Sequence, residues 1–311
     1  GYQLTLFRNA LAPAPPELPS AWATNQAWMG HLAVADPGTG RFHAFDRFAR
    51  GALGLAGASA EPFRVLIEDW TLEGDAAVDG GSGDADEAGR PFPMRLQAAA
   101  GEVGLDLVLE PAKPLVLQGD AGLSQKGPEP GNASYYYTYT RLDTRGTVRL
   151  GPDTLAASGL SWVDREWSTS ALSPGQVGWD WFALQLDDGR DLMLYRLRRE
   201  DGTADPLSDG VLVEADGGRV DLAWGEELTL EETGTWRSPV DGAVYPSGWR
   251  IRLPGRGWDL RVEPVLEDQE LNLAFRYWEG AVDVTGETPR GPVSGRGYVE
   301  LTGYAGARPG R

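Results

Sequence analysis

Seven consecutive residues, Ser161-Trp162-Val163-Asp164-Arg165-Glu166-Trp167, set two carboxylates and a guanidinium between tryptophans. If the segment is extended, Trp162, Asp164 and Glu166 turn to one side and Val163, Arg165 and Trp167 to the other. Same-face Cα atoms then lie roughly 6.5 to 7 Å apart. In a dry site one carboxylate at that spacing disfavours ionisation of the other, which leaves one acid and one base. Trp162, Trp167, Trp179 and Trp181 crowd the same region, and indole faces stabilise a neighbouring cation. A proton donor among electron-rich walls suits carbocation chemistry. The same residues would also serve as an ion-pair cluster at a strand end, and such walls bind any apolar ligand.

Other chemistries lack their parts. The chain has no cysteine, which removes disulfides, thiolate metal sites and a cysteine nucleophile and leaves the redox compartment open. Its two histidines, His31 and His43, fall short of the usual zinc set. Gly159-Leu160-Ser161-Trp162-Val163 lacks the second glycine of a nucleophile elbow, so a Ser-His-Asp triad has little support. No phosphate loop or dinucleotide fingerprint is present, and neither a metal nor a cofactor is expected. The formal charge of -18, from 46 acidic against 28 basic residues, repels polyphosphate and anionic membranes, so nucleic acid is excluded as a partner. There is no apolar run near the length of a membrane span and no signal peptide. The chain begins without Met at Gly1-Tyr2-Gln3-Leu4-Thr5-Leu6-Phe7, which reads as the middle of a sheet, so a preceding segment is expected.

The elements that must position these groups are strands. The chain has 42 glycines, 22 prolines, 12 tryptophans and 10 tyrosines with short alternating runs between them, the pattern of an all-β antiparallel protein. At 311 residues, against about 100 to 200 per domain, two domains are expected, 1–172 and 173–311. Strands are read at Tyr2 to Arg8, Trp28 to Ala35 and Arg41 to Phe48, the last two joined by the turn Asp36-Pro37-Gly38-Thr39-Gly40. The proline-rich Leu11 to Pro19 reads as a loop or lid, and Gly51 to Ala60 as a loop or short helix. Phe63 to Glu73 reads as one strand, and acidic Gly74 to Gly89 as a solvated hairpin tip whose Asp79, Asp84, Asp86 and Glu87 lack calcium-loop spacing. Leu115 to Asn132 reads as a long functional loop. Gly178 to Leu186, the turn Asp187-Asp188-Gly189-Arg190 and Asp191 to Leu197 form a hairpin that opens the second domain. Later strands suit a barrel or sandwich.

Four motifs in order carry a resemblance. They are Gly131-Asn132-Ala133-Ser134-Tyr135-Tyr136-Tyr137, the Ser161 to Trp167 stretch, Gly178-Trp179-Asp180-Trp181-Phe182 and Gly297-Tyr298-Val299-Glu300-Leu301-Thr302-Gly303-Tyr304. Over essentially its whole length the chain resembles the carotenoid 1,2-hydratase (hydroxyneurosporene synthase) family, with its AttH-type lipocalin-like proteins labelled secreted hydrolases. The resemblance implies two tandem lipocalin-like β-barrels, the first lacking its N-terminal strand, with a hydrophobic isoprenoid, carotenoid or lipid bound in or between them. It also implies export, and hydration of a terminal C=C. By motif, Asp164 would be the proton donor and Glu166 its partner. Trp162 and Trp179 would shield the cation and Tyr277, in Arg276-Tyr277-Trp278-Glu279, would orient water, with Trp167, Trp181 and His31 completing the ligand walls. Two departures stand out: Arg165 replaces a common His, and the family's leading His- and Trp-rich segment is absent. A non-catalytic lipid carrier, a Diels-Alderase-like activity and ester hydrolysis are the alternatives in the same pocket.

Overall fold

The structure, a computed structural model, describes residues 1–74, 91–129, 131–169 and 172–305. Alternating sequence with frequent turn residues gives strands almost throughout. They run β1 (Tyr2–Ala10), β2 (Gln26–Asp36), β3 (Arg41–Arg50), β4 (Ala56–Ser59), β5 (Arg64–Ile67), β6 (Trp70–Gly74), β7 (Met94–Ala100), β8 (Val103–Pro111), β9 (Val116–Leu117), β10 (Leu123–Gln125), β11 (Ala133–Leu150) and β12 (Asp153–Ser168). The remainder are β13 (Gln176–Leu186), β14 (Asp191–Arg199), β15 (Asp209–Val213), β16 (Arg219–Ala223), β17 (Thr229–Glu232), β18 (Thr235–Arg237), β19 (Val244–Pro246), β20 (Trp249–Leu253), β21 (Trp258–Pro264), β22 (Glu270–Asn272), β23 (Arg276–Thr288) and β24 (Gly291–Leu301). Among the described residues a 3-10 turn at Pro254–Arg256 is the one helical element, and no helix is long and apolar enough to cross a membrane. The all-β antiparallel reading is borne out.

Two curled antiparallel bodies result. In the first, β1–β3 form a three-stranded sheet and β4–β12 a nine-stranded one. Leu32 and Val34 of the small sheet pack with Trp70, Met94, Leu96, Leu105, Leu107, Leu109 and Leu142 of the large one. In the second, a ten-stranded sheet curls in the order β16-β15-β14-β13-β24-β23-β21-β20-β17, with β22 pairing β23 off this path. Its interior is filled by one continuous cluster, including Phe182, Trp249, Trp258, Trp278 and Leu301. Each such side chain contributes about 1.5 to 3 kcal/mol by leaving water. Its interior is thus occupied by side chains, and its outer face meets the first body.

Period-two alternation decides what that outer face carries. Phe182, Leu184 and Leu186 of β13 enter the core, which turns Trp179 and Trp181 outward. Trp278, Val282 and Val284 of β23 do the same, turning Tyr277 and Glu279 outward. The first body covers this face. Tyr136 of β11 packs with Met193, Tyr195, Val211 and Val213, with Trp162, Trp179 and Trp181 against them. Asp191 of β14 clamps the two bodies: Lys113 Nζ lies 2.7 Å from it, and Arg141 donates to it at 2.6 Å and Thr140 at 2.8 Å. A bulge between Tyr139 and Leu142 bends β11 where Thr140 and Arg141 make this contact.

Several local expectations are corrected. Phe63 to Glu73 is two strands, because Glu68 takes a left-handed φ of 55° and turns the chain between β5 and β6. Asp69 therefore does not continue the face of Val65 and Ile67. Gly51 to Ala60 contains β4, and the Leu115 to Asn132 loop contains β9 and β10, which pair with β11. The hairpins turning at Asp36 to Gly40 and at Asp187 to Arg190 form as expected. The acidic cluster Asp79, Asp84, Asp86 and Glu87 lies outside the described residues.

Candidate functional site

The β11–β12 hairpin brings the acid segment to the junction of the two bodies. Its register sets Tyr136 opposite Glu166 and Thr138 opposite Asp164, and cross-strand partners share a face. Asp164, Glu166 and Trp162 therefore look at β13, together with Tyr136. On the reverse face Trp167 stacks on Tyr135 at 5.6 Å, and Arg165 sits opposite Tyr137. Trp167 is thus separated from the acids by the sheet itself, and Arg165 does not share the acid's face.

A cleft of about 2490 Å³ opens here, reaching from Leu105, Leu107 and Leu109 of the first body to Tyr277, Glu279, Tyr298 and Glu300 of the second. Asp164, Glu166, Trp162, Trp179, Trp181 and Tyr277 line it at the junction of the bodies, and Trp167 lines its part on the other face of the β11–β12 hairpin. His31 does not. It is fully buried behind Tyr277, its Nδ1 2.6 Å from the phenol oxygen, and burial pushes its pKa down to about 4. A neutral imidazole with Nδ1–H donating to the phenol leaves the Tyr277 hydroxyl free to donate to Glu279, with which it is hydrogen-bonded.

Asp164 is held in place by several donors. Thr138 Oγ1 and Trp162 Nε1 donate to its Oδ1 at 2.6 and 2.9 Å, and Tyr136 bonds to it as well. The side chain is exposed to the cleft, whose walls crowd around it. Desolvation by those walls pushes the carboxyl up to about 6 against those bonds, with the Glu166 charge a smaller contribution. The cleft is open to water, which screens part of this rise. Glu166 differs: it accepts from Ser134 and lies 3.5 Å from Lys126 Nζ.

Sequence reasoning passed over the acids of the opposite wall. In the β23–β24 ladder Glu279 sits directly opposite Glu300, and the β13–β24 ladder puts Trp181 opposite Glu300. Trp179 Nε1 donates to Glu300 at 3.2 Å, and Gln3 Nε2 donates to Glu279 at 2.5 Å. Burial pushes Glu300 up to about 7, with the charges of Glu166 and Asp164 adding to it. Burial and the charge of Glu300 push Glu279 well above the usual carboxylate range. The contrast with other buried acids is chemical. Asp180 is paired with Arg196 and Arg198, Asp191 with Lys113 and Arg141, and Glu270 with Arg276. Among the described residues no cation pairs with Asp164, Glu279 or Glu300. A signal for the missed acids was present. Tyr277-x-Glu279 and Tyr298-x-Glu300 repeat the aromatic-x-acid spacing of Trp162-x-Asp164.

The site thus consists of uncompensated carboxyls facing one another across an aromatic cleft. The indoles contribute in two ways: Trp162, Trp179 and Trp181 point N–H groups at Asp164, Glu300 and the Tyr136 hydroxyl, and their rings supply apolar wall. Trp162 and Trp181 meet edge to face at 6.4 Å. Such walls hold carboxyls neutral at moderate pH and can donate or accept protons at an apolar ligand.

Known proteins resemble this chain over its length. The crystal structure of an AttH protein from Nitrosomonas europaea is 33% identical, with a TM-score of 0.81 over 98% of this chain and 87% of that one. Kievitone hydratase from Fusarium solani subsp. phaseoli is 23% identical over 215 residues, 67% of this chain. The match spans 59% of that relative's length. The crystal structure of kievitone hydratase from Nectria haematococca shares the fold, with a TM-score of 0.68 at 18% identity, covering 89% of this chain and 79% of that one. The model of the AttH-like family matches residues 1–304, nearly the whole sequence. The chain belongs to the AttH-like family.

Proposed function

We propose that this protein binds an apolar small molecule in the cleft between its two bodies and adds water to a carbon–carbon double bond of it. Asp164 is the proton donor. The observation that carries this reading is a carboxyl raised to about 6, fixed by Thr138 and Trp162, on the wall of a large aromatic cleft. The kievitone hydratases among the relatives support hydration as the reaction class. An acyclic isoprenoid with a terminal double bond is the substrate class that best suits an aromatic-lined cleft of this size.

Protonation of the alkene by Asp164 breaks the π bond, forms a C–H bond and leaves a tertiary cation. The rings of Trp162 and Trp181 stand beside the acid and stabilise positive charge. Water attacks the cation and loses a proton to a base, giving a tertiary alcohol. Incubation with geraniol, squalene and oleate, followed by mass spectrometry, tests the reading. A product heavier by one water, formed by the wild type and not by Asp164→Asn, is the expected result. Binding of these probes without any product would leave a lipid carrier as the function and remove the catalytic one.

A further inference from the structure

The hydration reading leaves open which group takes the proton from water, and the cleft offers two candidates on opposite walls. We infer that the water-activating base is Glu300, and that Glu279 positions it by retaining the one proton the pair shares. This rests on the hydration reading above and replaces Glu166, the partner suggested by the Asp164-Arg165-Glu166 segment, in the role of base.

Geometry separates the two. Glu166 is on the same strand face as Asp164, accepts from Ser134 and is offset by Lys126. A base there would work from the side on which the acid has already acted. Glu300 lines the cleft from the facing body, is held through one oxygen by Trp179 Nε1 at 3.2 Å and has no cationic partner among the described residues. Directly across the ladder is Glu279, where Cβ atoms stand about 4.5 to 5.5 Å apart. Two enclosed carboxylates at that distance do not both ionise. Glu279 is the member built to stay neutral. It is the more deeply buried of the two, and burial with the charge of Glu300 pushes it well above the usual carboxylate range against the hydrogen bonds that Tyr277 and Gln3 donate to it. The groups facing the pair are Trp179 and Trp181 of β13, Tyr277 of β23, Tyr298 of β24, Gln3 of β1 and, across the cleft, Asp164 with Glu166.

The step balances. Asp164 gives its proton to the alkene carbon and becomes a carboxylate. The oxygen of water bonds to the cation, and Glu300 takes the released proton. One water is added, and the enzyme is reset when the Glu300 proton returns to Asp164 through the cleft. The Glu279 proton is not consumed.

Hydration rates of the probe turned over by the wild type are compared in Glu300→Gln, Glu166→Gln and Glu279→Gln, with probe binding followed by tryptophan fluorescence as a check on folding. Loss of a base of this kind costs about 10² to 10⁴ in rate. Glu300→Gln is expected to lose about 100-fold or more in kcat with binding retained, and Glu166→Gln less than about tenfold. Glu279→Gln, which keeps a neutral hydrogen-bonding group at that place, is expected to leave the pH at which the rate rises unmoved. A larger loss in Glu166→Gln than in Glu300→Gln, or a rise that moves to lower pH in Glu279→Gln, overturns the assignment and leaves hydration standing. Absence of wild-type turnover removes hydration and the base together.

Discussion

Glu300→Gln should make the protein more stable at alkaline pH and leave its stability almost unchanged in acid. The wild-type carboxyl rises from its ordinary 4.5 to about 7 because folding encloses it. Below 4.5 both folded and unfolded chains carry the neutral acid, and glutamine is a close match in shape. As pH climbs through 7, the unfolded chain has already shed its proton, whereas the folded one must ionise inside the cleft. A raised carboxyl therefore contributes stability in acid that is lost as pH rises through its folded value. At about 1.36 kcal/mol per pH unit, the full difference is ~3 kcal/mol. The cleft admits water, so screening reduces it to roughly 1 to 2 kcal/mol. Thermal unfolding at pH 4 and pH 8.5 reads the effect. With about 2 to 4 °C per kcal/mol for a body of this size, Tm of the variant should exceed wild type by roughly 2 to 8 °C at pH 8.5 only. A variant equally stabilised or destabilised at both pH values would refute the claim that Glu300 is an uncompensated acid.

Other consequences follow from the same geometry. With Asp164 at about 6 as donor and Glu300 at about 7 as base, hydration should be fastest between about pH 6 and 7 and fall above it; a rate that keeps rising to pH 8 would contradict this. Asp191→Ala strands Lys113, whose side chain is 3% exposed, and should destabilise the protein by about 3 to 5 kcal/mol in urea unfolding; a loss below about 1 kcal/mol would show that the clamp between the bodies is dispensable. Tyr277→Phe removes partners of the buried His31 and Gln3 and should cost about 1 to 3 kcal/mol in the same measurement. Trp181→Ala opens the wall beside Trp162 and unbinds Tyr136; quenching of tryptophan fluorescence by oleate should show at least a tenfold weaker Kd, and an unchanged Kd would place the ligand elsewhere.

The acid segment was legible because alternation along one strand is a local property. Trp162, Asp164 and Glu166 share a face, and Trp167 and Arg165 take the other, as their spacing requires. What lies across from them depends on the register of strands far apart in sequence. Glu279 and Glu300 meet through the β23–β24 ladder, and both meet Gln3 or Trp179 through tertiary packing. Their aromatic-x-acid spacing was visible, but alternation alone does not say which side of β23 is covered by another body. His31 was read as a wall residue; a lone histidine in an apolar strand carries no mark of the phenol that holds it from Tyr277. The split at Glu68 escaped notice because a non-glycine residue with φ of 55° has no sequence signal. The AttH-like family and the antiparallel fold, carried by several motifs and by turn residues along the whole chain, were readable from the outset.

The most direct test of hydration in the cleft is oxygen-18 transfer from labelled water, read by mass spectrometry with geraniol, squalene and lipid esters as probes. Label in a new tertiary alcohol, absent with Asp164→Asn, is the expected result. Label in a released carboxylate, or ligand binding with no label in any product, would contradict it.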